Sequence, residues 1–232
     1  MTASHRAGIG VVTALQREAG PLARHPALTV RACGVAADGI GDTVRQLRDG
    51  GSHLIVSWGT AGALSPRLRA GDLVLPEYII SRHGDTFRTD SGSRNSVRGM
   101  LTGTREVSTG TLLESDRILE TPDDKHGTGI PANAVAVDME SGRIGEACAA
   151  LNLPFLVIRA VIDESHDRLP RIVHDCALPD GTLHVRALIA GLMRHPGDWA
   201  GLTRLVPRYR RARSGLEAAA QALSRYGAGE RV

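Results

Sequence analysis

Residues 134–163 read AVAVDMESGRIGEACAALNLPFLVIRAVID. Ala134 to Val137 is a short apolar run that leads through Asp138-Met139-Glu140 into Ser141 to Leu151, where Gly142, Gly145 and Ala149 keep one side of a helix small. Pro154 to Ile162 is the most apolar run of the chain, and it stops on Asp163. The period changes from strand to helix and back to strand, the mark of a strand–helix–strand unit inside an α/β sheet whose strands are covered on both faces.

Outward from this unit the alternation continues. Ile9 to Leu15 predicts a buried strand, with Gln16 to Leu22 as a helix start stopped or bent at Pro21, and Leu28 to Gly34 the next strand. After Gly39-Ile40-Gly41, Asp42 to Arg48 suits a short amphipathic helix carrying Val44 and Leu47, with Asp42 as its N-cap. Leu54 to Ser57 is a strand that runs into a small-residue turn, Trp58 to Leu64. Leu73 to Ile80 is a further strand, in which Pro76 points to an edge or a bulge. The polar stretch from Arg82 to Gly103 reads as a loop or lid, and Gly181 to His195 as a closing helix with Leu183, Ala187, Leu188, Gly191 and Leu192 along one stripe. There is no internal repeat. The expected layout is one catalytic domain over 1–195 and a basic helical extension over 196–232.

The chain has 232 residues, 42% hydrophobic and 23% charged, enough to bury a full core without staples. Its three cysteines, Cys33, Cys148 and Cys176, form no CxxC pair and no zinc-type spacing, which argues against a disulfide framework and a structural metal. No apolar run reaches the length of a membrane span and Met1 to Gly10 lacks a signal-peptide core, so the compartment expected is the cytoplasm. The net charge of +3 is unevenly spread: residues 1–193 carry −2 and residues 194–232 carry +5. With a slightly acidic body and only 3% aromatics, nucleic acid is not an expected partner.

Three acids stand just past strands: Glu18, Glu140 and Asp163. In an open α/β sheet the carboxyl ends of strands converge on one crevice, so carboxylates far apart in sequence can line one site. Each also has a plain reading, Glu18 and Glu140 as first-turn helix charges and Asp163 as a cap or turn residue.

The wording around these acids resembles the nucleoside phosphorylase and nucleosidase superfamily. VAVDMES (135–141) followed by LPFLVIRAVID (153–163) matches its "VxME" and "PFxxxRAxxD" strand ends. GTAGAL (59–64) with Leu68, Gly71, Asp72 and Val74 looks like its "GSAGGL…GDxV" element, and Gly8 to Glu18 with Gly39-Ile40-Gly41 resembles its first strand and "GIG" turn. The resemblance is closest to the adenine-releasing nucleosidases of methylthioadenosine and S-adenosylhomocysteine. The chain end, from Leu192 through Trp199 into the Arg-rich stretch, is similar to the extension of the hopanoid-associated phosphorylases, linked to removing adenine from the lipid adenosylhopane.

The resemblance implies a three-layer αβα phosphorylase/hydrolase-like fold with a central mixed sheet and a C-terminal helical tail. It implies cleavage of the C1′–N9 bond of an adenine nucleoside, with Asp163 as the acid that protonates N7, Glu140 gripping the ribose hydroxyls and Glu18 activating water. Met139 would pack under the ribose, while Ala61, Gly62, Leu112 and Leu113 border the base. Thr60 would hold water or a phosphate oxygen, with Gly41 and Arg45 as further phosphate candidates. No cofactor is implied, although inorganic phosphate is a possible co-substrate. Glu18 would repel phosphate, which favours water; the neighbouring Arg17 and Arg45 argue the other way. Two departures from the family pattern stand out: Ile162 replaces the serine usual before the acid, and the aromatic that usually stacks on adenine has no counterpart in STGTLL (108–113), where there are only leucines.

In the tail, Leu202, Leu205, Val206, Leu216, Ala219, Ala220 and Leu223 alternate with Arg204, Arg208, Arg210, Arg211 and Arg213. This stretch suits an anionic bilayer surface, with Trp199 and Tyr209 at the interface and the enzyme peripheral to the inner membrane; it equally suits a helix folded back on the body or on a second subunit. Related enzymes form dimers, so a homodimer or higher homo-oligomer is expected. His166, three residues past Asp163, either tunes that acid or lies on the surface.

Overall fold

The computed structural model describes residues 8–14, 16, 18–34, 39–101, 106–169 and 199–230, with the backbone alone for 199–205. The strands are β1 Gly8–Thr13, β2 Leu28–Ala32, β3 Ser52–Ala63, β4 Leu73–Val74, β5 Tyr78–Ile80, β6 Thr86–Arg88, β7 Val107–Ser108, β8 Thr111–Glu114, β9 Ala134–Asp138 and β10 Phe155–Asp163. The helices are α1 Ile40–Asp49, α2 Ser91–Met100, α3 Pro122–Ala132, α4 Ser141–Ala150 and α5 Trp199–Gly227.

One mixed sheet organises these elements. β3 is its spine: parallel to β1 through its first half, parallel to β10 along its length, and antiparallel to β9 at Gly62 and Ala63. Beyond β1 lies β2; beyond β10 lie β4 and β7; beyond β9 lie β8, β5 and β6. The period of two in β10 divides the core. Leu156, Ile158 and Ala160 join Val97 of α2 and Leu216, Ala219 and Leu223 of α5 on one face, while Phe155, Val157 and Val161 join Val44 and Leu47 of α1 and Ile144 and Cys148 of α4 on the other. The sheet is therefore sandwiched between helical layers, as an α/β pattern with fully buried strands requires.

Several local expectations change. Trp58 to Ala63 is not a turn but the second half of β3, because its small residues let side chains from β10 and the β1 loop lie directly against the strand. Only a single 3-10 turn, Gly20–Leu22, forms where a helix start was expected, its Pro21 being suited to a first turn and to no longer helix. Gly39 rather than Asp42 caps α1; Asp42 sits inside the first turn, where a carboxylate favours the helix dipole, and pairs with Arg45. Leu73 to Ile80 is broken at Leu75–Glu77 into β4 and β5, which belong to different arms of the sheet. The expected loop from Arg82 contains β6 and α2, the latter capped by Asp90, whose side chain accepts from Ser93 N at 2.7 Å. Few large apolar residues mark α2, since Val97 and the buried Arg94 carry its inner face. Residues 181–195 lie outside the described residues.

The tail is one long helix whose second half is core. Ala212, Leu216, Ala219, Ala220 and Leu223 are buried against β1, β3 and β10, and Tyr226 donates to or accepts from Ser93 of α2 at 2.9 Å. Each leucine buried this way contributes about 1.5–3 kcal/mol. Four apolar positions of the expected bilayer face, Leu216, Ala219, Ala220 and Leu223, are thus committed to the protein interior; Val206 and Tyr209 remain exposed. Among the described residues no helix is long and apolar enough to cross a membrane.

Candidate active site

Glu18 follows β1 and turns its carboxylate back onto the sheet. Oε1 accepts from both the backbone N–H and the hydroxyl of Thr60, each at 2.9 Å, and Oε2 accepts from Thr13 Oγ1 at 3.1 Å. Trp58 Nε1 donates to the Glu18 carbonyl at 2.9 Å and fixes the backbone. A Cβ at residue 59 would stand 2.7 Å from Glu18 Oε2, so glycine there is what gives the carboxylate its place. Burial pushes the Glu18 pKa up, against the pull of Arg159 and the Thr60 and Thr13 hydrogen bonds.

Arg159 is the hub of the site. Inside the most apolar strand it is 2% exposed and donates from Nε to Asp138 Oδ2 at 2.7 Å and from Nη2 to Ser57 Oγ at 2.8 Å and Ser141 Oγ at 3.1 Å. Glu140 Oε2 lies 3.8 Å from Nη2. Burial works against the charge on this guanidinium, but Asp138, Glu140 and Glu18 outweigh it and raise its pKa. Nη1 is buried without a hydrogen bond and lies toward Gly59, where the Glu18 carboxylate also stands. An unmet donor beside a carboxylate is a place for a small polar ligand atom, such as a water or hydroxyl oxygen.

Glu140 begins α4 without capping it, so its carboxylate is not consumed by the helix. Burial, and then the neighbouring Asp138, push its pKa up to about 7. Its side chain is 14% exposed, which leaves it reachable.

Asp163 ends β10. A register shift between Val161 and Asp163 makes Asp163 pair with Gly62, and such bulges re-aim a side chain at the end of a strand. A Cβ at residue 62 would lie 3.1 Å from Asp163 Oδ2. The partner of this acid is Lys125 of α3, 1% exposed, whose Nζ donates to Asp163 Oδ2 at 2.5 Å, to the Glu164 carbonyl at 2.7 Å and to the Asp167 carbonyl at 3.4 Å. Thr121 caps α3 by accepting from Asp124 N at 3.1 Å, and that capped first turn carries Lys125 inward. Burial raises the Asp163 pKa, against the Lys125 charge. The hydrogen bond that Ile162 cannot give to the acid comes from this lysine. Ile162 itself packs against the core.

Glu18 and Asp163 are joined through the same strand, one at Gly59 and Thr60, the other at Gly62. Three residues of strand span about 10 Å. Other expected residues fall as follows. Ala61 and Leu112 are buried in the core, Leu113 is half-buried beside Leu64 and Val137, and Met139 borders Glu140 with its carbonyl accepting from Arg143. Arg45 pairs with Asp42 on the exposed side of α1, with Gly41 in the same turn. His166 is 62% exposed and faces Glu164, a surface position. Sequence reasoning passed over Arg159, Asp138 and Lys125 as site residues, although a charge in the most apolar strand and the chain's only lysine were both visible.

Residues 22–177 match the Phosphorylase superfamily. The 5'-methylthioadenosine/S-adenosylhomocysteine nucleosidase of Buchnera aphidicola subsp. Schizaphis graminum is 26% identical over 129 residues, 48% of this chain and 55% of the relative. That of Mycobacterium tuberculosis is 26% identical over 187 residues, 63% of this chain and 72% of the relative. The chain thus spans about half the length of the first of these relatives. Among solved structures, the Neisseria meningitidis nucleosidase of the same name, in complex with methylthio-immucillin-A, superposes with a TM-score of 0.70 at 17% identity, covering 94% of this chain and 97% of that one. A futalosine hydrolase mutant of Helicobacter pylori has a TM-score of 0.62 at 14% identity, covering 70% and 90%. On the extent of the family match, the chain belongs to the phosphorylase superfamily.

Proposed function

We propose that the protein is a nucleosidase that releases adenine from a 5′-substituted adenosine, with water as the nucleophile. In this reaction the C1′–N9 bond breaks, its electron pair passes into the base, N7 takes a proton from Asp163, and the water oxygen bonds to C1′ as its proton passes to Glu18. Glu140 accepts from the ribose hydroxyls and faces the positive charge that grows on the sugar. Arg159 Nη1, unmet beside Glu18, holds the attacking oxygen. One observation carries the choice of water: the Thr60 N–H and hydroxyl, which would have to bind phosphate, are both given to the Glu18 carboxylate. A phosphate there would meet an anion in place of donors.

Adenosylhopane is the substrate this reading favours, supported by the likeness of the chain end to the hopanoid-associated extension and by leucines in place of an aromatic at 112 and 113. Methylthioadenosine or S-adenosylhomocysteine is the second reading, supported by the names of the relatives. A silent binding protein fits the site less well, since binding alone does not require Glu18, Glu140 and Asp163 together. Purified protein incubated with adenosylhopane, methylthioadenosine and adenosine, each with and without phosphate, is expected to release adenine from a 5′-substituted compound at a rate indifferent to phosphate, leaving a free sugar. Release that depends on phosphate and yields a sugar 1-phosphate would reverse the choice of nucleophile, and no release from any of the three would end the reading.

A further inference from the structure

We infer that Lys125 is the proton reservoir of the general acid: in the resting enzyme the proton destined for the base resides on the Lys125 ammonium and passes through Asp163 as the glycosidic bond breaks. This inference rests on the nucleosidase reading and adds a residue and a step to it. The geometry of Nζ carries it. Three acceptors surround the nitrogen, the Asp163 carboxylate and two backbone carbonyls, which matches the three N–H bonds of an ammonium and leaves no hydrogen unused. One proton lies between Asp163 Oδ2 and Lys125 Nζ, and in the proposed resting state it is on nitrogen, so that all three contacts are N–H donations and Asp163 is a carboxylate. Lys125 engages only Oδ2, which leaves Oδ1 to approach the base.

The step balances. As electrons enter the purine, an Nζ–H bond breaks and an O–H bond forms on Asp163; that O–H bond then breaks as N7–H forms, and neutral adenine leaves. Lys125 is left as an amine with two hydrogens among three acceptors, and it regains its proton from solvent. Lysine suits this task and arginine does not, because a guanidinium does not give up its proton in a protein.

The charged groups around the pair come from three segments. Asp167, in the turn after β10, accepts from Glu164 N at 2.7 Å through Oδ2 and is paired with Arg208 of α5. Glu164 directs its own carboxylate away, to Ala70 N at 3.2 Å and Arg69 at 3.4 Å, with His166 outside it. Arg208 and Asp167 thus largely answer each other, and among the described residues Lys125 is the cation that bonds Asp163 itself.

Two variants test the inference, each compared with Asp163→Asn by adenine release from methylthioadenosine across pH 5 to 10 and by thermal melting. Lys125→Arg keeps the charge but supplies no proton, so kcat is expected to fall about 100-fold at every pH with KM little changed. Lys125→Met leaves the buried Asp163 to protonate by itself; activity is expected to persist at low pH while the basic limb of kcat moves down by about one pH unit or more. Wild-type kcat in Lys125→Arg, or a pH-independent loss in folded Lys125→Met, overturns the reservoir. If Asp163→Asn also releases adenine at the wild-type rate, it is the nucleosidase assignment of Asp163 that fails, and not the reservoir alone.

Discussion

The two ends of the site hold buried carboxylates by different means. Glu18 is gripped by neutral donors, the Thr13 hydroxyl and the hydroxyl and N–H of Thr60, and its nearest cation is Arg159, which keeps its proton. Asp163 is gripped by one side chain, Lys125, through Oδ2. Burial raises the pKa of both acids, so their surroundings rather than their depth set them apart. Neutral donors and Arg159 oppose the effect of burial at Glu18, whereas Lys125 opposes it at Asp163. A single strand, β3, lies against both acids, through Gly59 and Thr60 at one end and Gly62 at the other.

The largest expected effect breaks this comparison directly. Asp163→Asn should lower kcat/KM for methylthioadenosine about 1000-fold, because adenine cannot leave without a proton. The same variant should lose far less on p-nitrophenyl riboside, whose phenolate leaves unaided. Glu18→Gln should damage both substrates alike, since water must attack C1′ in either case. Equal losses from Asp163→Asn on the two substrates would show that the ends have been assigned to the wrong jobs.

How much of this was legible in the sequence follows from what each residue's role depends on. The strand–helix–strand unit at 134–163 and the three acids after strands were readable because periodicity and strand ends are local features. The continuation of β3 through Gly59 to Ala63 was not, because small residues signal a turn unless one knows that Glu18 and Asp163 fill the space their missing side chains leave. Lys125 was visible as the lone lysine but not as a site residue, for a related reason: α3 has no continuous apolar face, and only the arrival of the 164–167 turn shows why a lysine can be buried there. In α5 the alternation of arginine and aliphatic residues was plain, but amphipathicity cannot say whether the apolar face meets lipid or the sheet. Leu216, Ala219 and Leu223 meet the sheet.

Glu140 sharpens the contrast from the stability side. Its folded pKa, about 7, lies above the ordinary 4.5, so the folded state binds the proton more tightly than the unfolded chain does. Stability attributable to this group is therefore full below 4.5 and declines as pH rises toward 7, by up to about 3 kcal/mol. Glu140→Gln removes the charge, so it should melt several degrees higher than the wild type at pH 8 and about equally at pH 4.5, measured by calorimetry. Its activity should nonetheless be low at both, because the amide cannot accept from two hydroxyls as a carboxylate does. For the wild type, kcat/KM should fall on the acid side with an apparent pKa near 7, as Glu140 protonates. A Glu140→Gln protein no more stable at pH 8 would mean that Arg159 neutralises Glu140 fully, and the site would store no strain there.

The smallest effect tests whether β3 really sets both ends. Gly59→Ala brings a Cβ to 2.7 Å from Glu18 Oε2 and 3.1 Å from Arg159 Nη1, whereas Gly62→Ala brings one to 3.1 Å from Asp163 Oδ2. The first contact is closer than atoms tolerate and the carboxylate is tied by three hydrogen bonds, so it must move as a unit and lose part of its grip on Thr60. About a tenfold loss in kcat is expected, equivalent to 1.4 kcal/mol. The second contact is tight but open to a shift of a few tenths of an ångström, since Asp163 is tied through Oδ2 to a lysine with a long flexible stem, and a loss of about threefold or less is expected. A reversed order, with Gly62→Ala the worse of the two, would show that the Lys125–Asp163 pair is the more rigid end, and that the proton-giving end depends on a fixed geometry more than the water-activating one.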